Sequence, residues 1–179
     1  MRSLGATKTL ICAGGNAGGA AATCLITSLE TSNFVTFEKS RMPRHGGWDT
    51  NRMKQDDFRA FLACNNETGA IAGVINVSQI YRGPFQSAYL GFYAMEGHQG
   101  HGLMREALGL ALRVAFGQLK LHRLEANVQP ANVRSIALVK SLGFRLEGFS
   151  PLYLKIAGRW RDHERWAILR EQFARTNGG

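Results

Sequence analysis

At 179 residues, 45% hydrophobic and 20% charged, the chain is long enough to bury a core and too apolar for a disordered segment. A formal net charge of +9 admits a solvated basic surface, an acidic cofactor or a ribosome-associated partner. The basic residues are dispersed with no long run, which argues against a direct nucleic-acid role. No apolar stretch approaches the ~20 residues of a membrane span.

Near the N-terminus, Arg2 and Lys8 precede the apolar Leu10–Ala13, and Ala20–Ala22 faintly resembles a cleavage site. Gly14, Gly15, Asn16, Gly18 and Gly19 interrupt the apolar run, so no secretory leader is expected. The same glycines fail the spacing of a dinucleotide fingerprint. Leu10–Cys12 reads as a short strand, 13–22 as a loop or weak helix start, and residues 1–22 are expected to be poorly ordered. Thr23–Phe37 reads as a helix, with Leu25, Leu29 and Val35 roughly on one side, and Ser40–Gln55, holding Pro43, Gly46, Gly47 and Trp48, as loop with short helical turns. Cys12, Cys24 and Cys64 form an odd set without metal-like spacing and fit small core residues in a reduced, cytoplasmic setting.

From here the pattern sharpens. Phe58–Cys64 and Ala70–Ile80 read as strands joined by an Asn65–Gly69 hairpin turn, and after Arg82-Gly83-Pro84 a third strand follows at Ser87–Met95. Gly102–Leu119 has helical spacing in Leu103, Ala107, Leu110, Ala111 and Val114. Arg123–Gln129 is a strand, and Asn132–Leu142 a helix with Asn132 as N-cap and Gly143 at C′. Phe144–Ile156 and Trp160–Leu169 form a final hairpin. The order predicts one α+β domain over 1–179 with a mixed, mostly antiparallel sheet flanked by helices.

Between the third strand and the long helix lies Gly97-His98-Gln99-Gly100-His101-Gly102-Leu103-Met104. Unpaired N–H groups at a helix start attract anions, and glycines let a phosphate approach the backbone. A tight turn needing glycine only for positive φ is the competing reading. No Gly-Lys-Ser/Thr follows, so this is not a P-loop, and the third glycine of a dinucleotide fingerprint is missing. His98 and His101 lack a carboxylate or cysteine set to complete a metal site, and no metal is expected.

Taken with the downstream segments, the chain resembles the GNAT superfamily of acyl-CoA N-acyltransferases, in particular its RimJ/RimL-like branch of ribosomal-protein-alanine N-acetyltransferases. The resemblance rests on Gln99-x-x-Gly102-x-Met104, Asn132-x-x-Ser135, Leu142-Gly143-Phe144 and Gly158-x-Trp160-Arg161-Asp162-His163, and runs from about Glu67 to Leu169. It implies the GNAT fold, with acetyl-CoA as co-substrate and a protein N-terminal α-amine as acceptor; the alternative reading keeps the fold and makes the acceptor a small-molecule amine, namely an amino acid, polyamine or aminoglycoside. A non-catalytic acyl-CoA-binding module is a further reading.

The resemblance also implies roles. Tyr93, Ala94 and Met95 would pair with the pantetheine amides. Gln99, Gly100, His101, Gly102, Leu103 and Met104 would hold the pyrophosphate, and Asn132 would bond the cofactor arm near the thiol. Met104 departs from the Gly or Ala that the wider superfamily prefers, so its contact is expected through the backbone. Val139 stands where many relatives carry a tyrosine acid, which leaves Ser135 as candidate acid or as a helix-start hydroxyl. Asn127 stands where some relatives carry a glutamate base. Glu125, two residues earlier and on the same strand face, is a candidate direct or water-relayed base, or a salt-bridged surface residue. Asp162, His163 and Glu164 fit an ion-paired strand or a substrate lining. Tyr81, Tyr89 and Tyr153 fit core or groove walls, with the acceptor groove formed by the N-terminal region, residues 81–85 and the final hairpin.

Overall fold

The computed structural model describes the backbone of residues 9–14, 21–27, 32–38, 56–65 and 68–177, with side chains for 56–65 and 68–175. One nine-stranded sheet runs through it in the order β3-β2-β1-β4-β5-β6-β7-β9-β8. The strands are β1 (Thr9–Gly14), β2 (Ala21–Thr27), β3 (Ser32–Glu38), β4 (Arg59–Asn65), β5 (Ile71–Tyr81), β6 (Ser87–Ala94), β7 (Arg123–Val128), β8 (Arg145–Ile156) and β9 (Arg159–Leu169). The helices are α1 (Leu103–Arg113), extended by a π-helical turn Val114–Gln118, α2 (Val133–Ser141) and α3 (Arg170–Asn177).

The predicted antiparallel meander is present in β4-β5-β6, and its first hairpin closes through Asn65 N–H to Ala70 O (2.8 Å) and Gly69 N–H to Asn65 O (2.9 Å). The pair β6-β7 is parallel, so the sheet is mixed, and α1 with its π turn makes the crossover. Its buried stripe of Leu103, Ala107, Leu108, Leu110, Ala111 and Leu112 covers one sheet face. That face supplies Ile75, Val77, Ala88, Leu90, Leu124, Ala126 and Val128, and α2 adds Val139 to the same core.

Three expectations are corrected. Within Thr23–Phe37, residues 23–27 and 32–37 belong to strands β2 and β3, paired antiparallel from Ala21↔Glu38 to Thr27↔Ser32, and are not helical, while 28–31 lie outside the described residues. The β-branched and aromatic residues of these strands, Thr23, Ile26, Thr27, Phe34, Val35, Thr36 and Phe37, favour a pleated strand, and three apolar positions spaced by four and six were too sparse a helical signal. Ala13–Gly14 and Ala21–Ala22, read as loop or helix start, are strand ends, while 15–20 lie outside the described residues. The long helix does not stay α-helical to Leu119: the wider π turn buries Val114, Ala115 and Phe116 in succession, and Phe116 meets Phe173 of α3 at 5.5 Å between ring centroids. Expectations for residues 1–8 and 40–55, Trp48 included, also lie outside the described residues.

Candidate active site

The site begins where β6 and β7 separate. They pair at Ser87↔Arg123, Ala88↔Leu124 and Tyr89↔Glu125 and no further, although both strands continue. Beyond that point β6 stays bonded to β5 and β7 to β9, so each keeps one open edge facing the other. Met95 N–H bonds Ala72 O (2.8 Å) on the β5 side. Alternation along an antiparallel ladder then turns the amides of Leu90, Phe92 and Ala94 to the open edge. Of the predicted trio Tyr93, Ala94 and Met95, only Ala94 therefore presents its amide to the opening. Met95 does not, because its N–H serves β5 and its carbonyl accepts from His98 N–H (3.2 Å).

The glycine loop closes one end of this opening. Gly97, Gly100 and Gly102 have φ of 80°, 84° and 79°, the left-handed region in which side chains are strained, and a Cβ on any of them would meet nothing within 4 Å. Gly102 is the N-cap of α1 and supplies no side-chain cap, and the first amides to turn back into the helix are Arg105 and Glu106, both to Gly102 O (3.0 and 3.2 Å). A helix N-terminus without a side-chain cap from Gly102 thus stands at the mouth of the opening. Gln99, Gly100 and His101 are exposed along this loop, and Leu103 and Met104 are buried as side chains. Met104 can be larger than Gly or Ala because Gly73 of β5 lies against it: a Cβ there would collide with Met104 Sδ. The thioether therefore belongs to the core, and only the Met104 backbone can serve a ligand.

The other side of the opening is the start of α2. Asn132 Oδ1 accepts from Ser135 N–H (3.1 Å) and caps the helix, as its spacing predicts. The cap thus uses Asn132 and leaves the Ser135 hydroxyl out of it. No acidic residue occupies the first turn of α2, so its positive end is not neutralised there. Arg134 Nη1 donates to Gln99 Oε1 (3.0 Å), tying α2 to the glycine loop. Sequence reasoning missed both Arg134 and Gly73; Arg134 sits inside the Asn132-x-x-Ser135 motif, whereas nothing in the sequence pairs Gly73 with Met104.

On the sheet face opposite α1, a cavity of about 220 Å³ lies at the paired base of β6 and β7, lined by Tyr81, Phe85, Ser87, Ala88, Tyr89 and Glu125. Glu125 also accepts from Arg123 Nε (2.8 Å), and Arg123 forks onto Glu147, with Nη1 at 2.9 Å from Oε1. The salt-bridged reading of Glu125 is met by Arg123, and the same carboxylate also lines the cavity. Burial, then a hydrogen bond with Tyr153, pushes the Tyr89 hydroxyl up to about 12, so it stays protonated beside Glu125. Burial also raises Tyr93.

The ion-paired reading of β9 is corrected. Asp162 Oδ1 accepts from Leu152 N–H (2.7 Å) and Glu164 Oε2 from Trp166 Nε1 (2.9 Å), and His163 is buried beside Tyr153, its Nδ1 3.0 Å from Arg161 O. These side chains bond backbone and indole partners within the β8-β9 hairpin. Among the described residues no cluster of three or more His, Cys, Asp or Glu could hold a metal, and no helix is long and apolar enough to cross a membrane.

A mixed sheet that parts between two parallel strands, with a glycine loop and a helix N-terminus at the mouth, defines the acyl-CoA N-acyltransferase class. The family model for the acetyltransferase (GNAT) domain matches residues 28–145, and the chain belongs to the GNAT family, whose members use acetyl-CoA as acyl donor. It is similar to the [ribosomal protein uS5]-alanine N-acetyltransferase of Escherichia coli, 46% identical over 93 residues, 52% of this chain and 48% of that protein. It is also similar to the probable N-acetyltransferase YjcK of Bacillus subtilis, 37% identical over 118 residues, 66% of this chain and 65% of that protein. Among solved structures, Mycobacterium smegmatis RimJ in complex with CoA-disulfide superimposes with a TM-score of 0.64 at 31% identity, covering 68% of this chain and 57% of that one. Spermidine N-acetyltransferases are more distant matches, at 25% identity. The chain spans about half to two thirds of the length of the curated relatives named here.

Proposed function

We propose that the chain is a cytoplasmic acetyl-CoA-dependent N-acetyltransferase acting on a protein N-terminal α-amine, the N-terminal alanine of a ribosomal protein being the favoured acceptor. The observation that carries this reading is the opening between β6 and β7, bounded by the uncapped start of α1 and the Asn132-capped start of α2. The residues fit acetyl-CoA: the Ala94 amide on an open strand edge suits an amide-bearing arm, and the open left-handed glycines suit a pyrophosphate. Asn132 at the start of α2 and Arg134, bonded to Gln99 of the glycine loop, border the same opening and support this fit. Bound acetyl-CoA supplies an acyl thioester, activated toward a neutral amine.

The chain's own residues then have three tasks. The opening aligns amine and acyl carbon in one ternary complex, which removes the need for a covalent enzyme intermediate. The outward amides of β6 offer donors for charge developing on an acyl oxygen. Glu125, facing the cavity, accepts the amine proton directly or through water, and the Ser135 hydroxyl, free of the helix cap, donates to the departing sulfur.

A small-molecule amine is the second reading, favoured by the modest volume of the cavity beside Glu125. The experiment is transfer of labelled acetyl from acetyl-CoA into a deacetylated ribosomal-protein mixture and into spermidine, read by intact mass and N-terminal sequencing. Label on one N-terminal residue is the expected result. Label on spermidine alone moves the acceptor to a small amine. Thermal stabilisation by acetyl-CoA without any transfer makes the chain an acyl-CoA-binding module.

A further inference from the structure

Four side-chain oxygens are buried without a hydrogen-bond partner among the described residues: Asp57 Oδ1, Asn76 Oδ1, Glu106 Oε2 and Asn127 Oδ1. A buried acceptor left unsatisfied is costly, so each one calls for a reason. Asp57 precedes β4 and Glu106 lies in the first turn of α1, but the two asparagines fall in one row across the site. Asn76 of β5 is the register partner of Gly91 in β6. Extending the parallel pairing Tyr89↔Glu125 by two residues sets Gly91 opposite Asn127, and Asn127 is the partner of Arg165 in β9. Partners in register share a face, so Asn76, Gly91 and Asn127 lie on the face that carries Tyr89, Glu125 and the cavity.

The row has a shape. Gly91, its middle member, is exposed, and a Cβ there would meet nothing within 4 Å, so the sheet face between the two asparagines carries no side chain and is open. Strands lie about 4.8 Å apart, so Asn76 and Asn127, two strands apart across the opening, are separated by about 10 Å or more at Cα. Leaning side chains shorten that distance at the oxygens. One nitrogen cannot bridge it, but two consecutive nitrogens of a peptide can: two hydrogen bonds and one residue of chain span about 9 Å.

We propose that Asn76 and Asn127 are acceptor-binding residues that read the two N–H-bearing nitrogens at a peptide N-terminus. Asn127, on the open edge of β7, accepts from the α-amine. Asn76 accepts from the amide N–H of the second residue, with the peptide passing over Gly91. This rests on the α-amine reading above and adds a specificity to it: a second residue without N–H, proline, is rejected.

The test compares two peptides that begin alanine–serine and alanine–proline and are otherwise identical, with spermidine as the third acceptor. The wild-type protein is expected to prefer the serine peptide about tenfold in kcat/KM. Asn76→Leu should erase that preference with the KM for acetyl-CoA unchanged. Asn127→Leu should lower kcat/KM for both peptides about tenfold. Asn127→Asp, which sets a carboxylate beside the bound amine and holds it protonated, should move the acid limb of the kcat profile to higher pH, a change that a merely structural role would not produce. Thermal melts of all three variants check folding, and if turnover is too slow to measure, calorimetric peptide binding in the presence of CoA reads the same ratios. Equal use of both peptides by the wild type, or a preference that survives Asn76→Leu, overturns the proposal and leaves the α-amine reading standing. Acetylation of spermidine with neither peptide used or bound overturns both.

Discussion

Replacing Gly73 by alanine tests the packing that lets Met104 occupy the start of α1. The new Cβ would collide with Met104 Sδ and lie 2.6 Å from the Tyr93 carbonyl oxygen. Overpacking of this kind costs about 1–3 kcal/mol. Met104 is buried, so Met104→Ala alone should cost about 2–5 kcal/mol through lost packing and the space left behind. In the double variant the collision with sulfur is gone and the Gly73→Ala methyl partly fills the vacated space, while the contact with Tyr93 remains. The double variant should therefore lose about 1–2 kcal/mol less than the two single losses together. Urea unfolding followed by circular dichroism reads this from the midpoints, provided the slopes agree. Losses that add to within about 0.5 kcal/mol would refute the argument that Gly73 exists to admit Met104.

Other perturbations address the site more directly. Ser135→Ala should lower kcat while leaving the affinity for acetyl-CoA unchanged, since the helix cap uses Asn132 Oδ1; unchanged steady-state kinetics would remove Ser135 from the chemistry. Arg123 holds the Glu147 carboxyl below its ordinary value of 4.5, so this pair stabilises the fold above that pH and its contribution is lost as pH falls through the lowered value. Glu147→Gln should flatten the acid limb of the stability profile, and an unaltered limb counts against the pair. Tyr89 is raised, so its contribution is complete below its ordinary value of 10.0 and is lost as pH rises through about 12. Alkaline unfolding of Tyr89→Phe should depend less steeply on pH in that window, and an equal slope would contradict the burial argument.

How legible the sequence was depended on how local the deciding physics is. Asn132 as N-cap, the strand-to-helix glycine loop and the β4-β5 hairpin are set within a few residues, and each stands where its spacing places it. Thr23–Phe37 was misread because a sparse apolar period was given more weight than β-branched composition, and a strand's partners are not visible locally. The short helix α3 was missed: Phe173 is its one buried large apolar side chain, and its start is tied by Gln172 Oε1 accepting from Leu169 N–H (3.1 Å), a faint capping signal. At the site, the motif residues were readable, but their tertiary partners were not. The bond from Arg134 to Gln99 and the fit of Gly73 to Met104 join residues 35 and 31 positions apart, and the row Asn76-Gly91-Asn127 is set by sheet register alone.

The claim that the opening between β6 and β7 holds acetyl-CoA, with its phosphates on the glycine loop, is tested most directly by calorimetric titration of acetyl-CoA into the wild-type protein and Gly102→Val. Gly102 has φ 79° and open space around its Cβ position, so a side chain there disturbs the loop backbone without colliding with the core. The strain of a left-handed residue costs about 1–2 kcal/mol. The account predicts one site in the wild-type protein and binding at least tenfold weaker in the variant, with the fold retained in a thermal melt. Equal affinity in the two proteins, or no binding to the wild type, would contradict it.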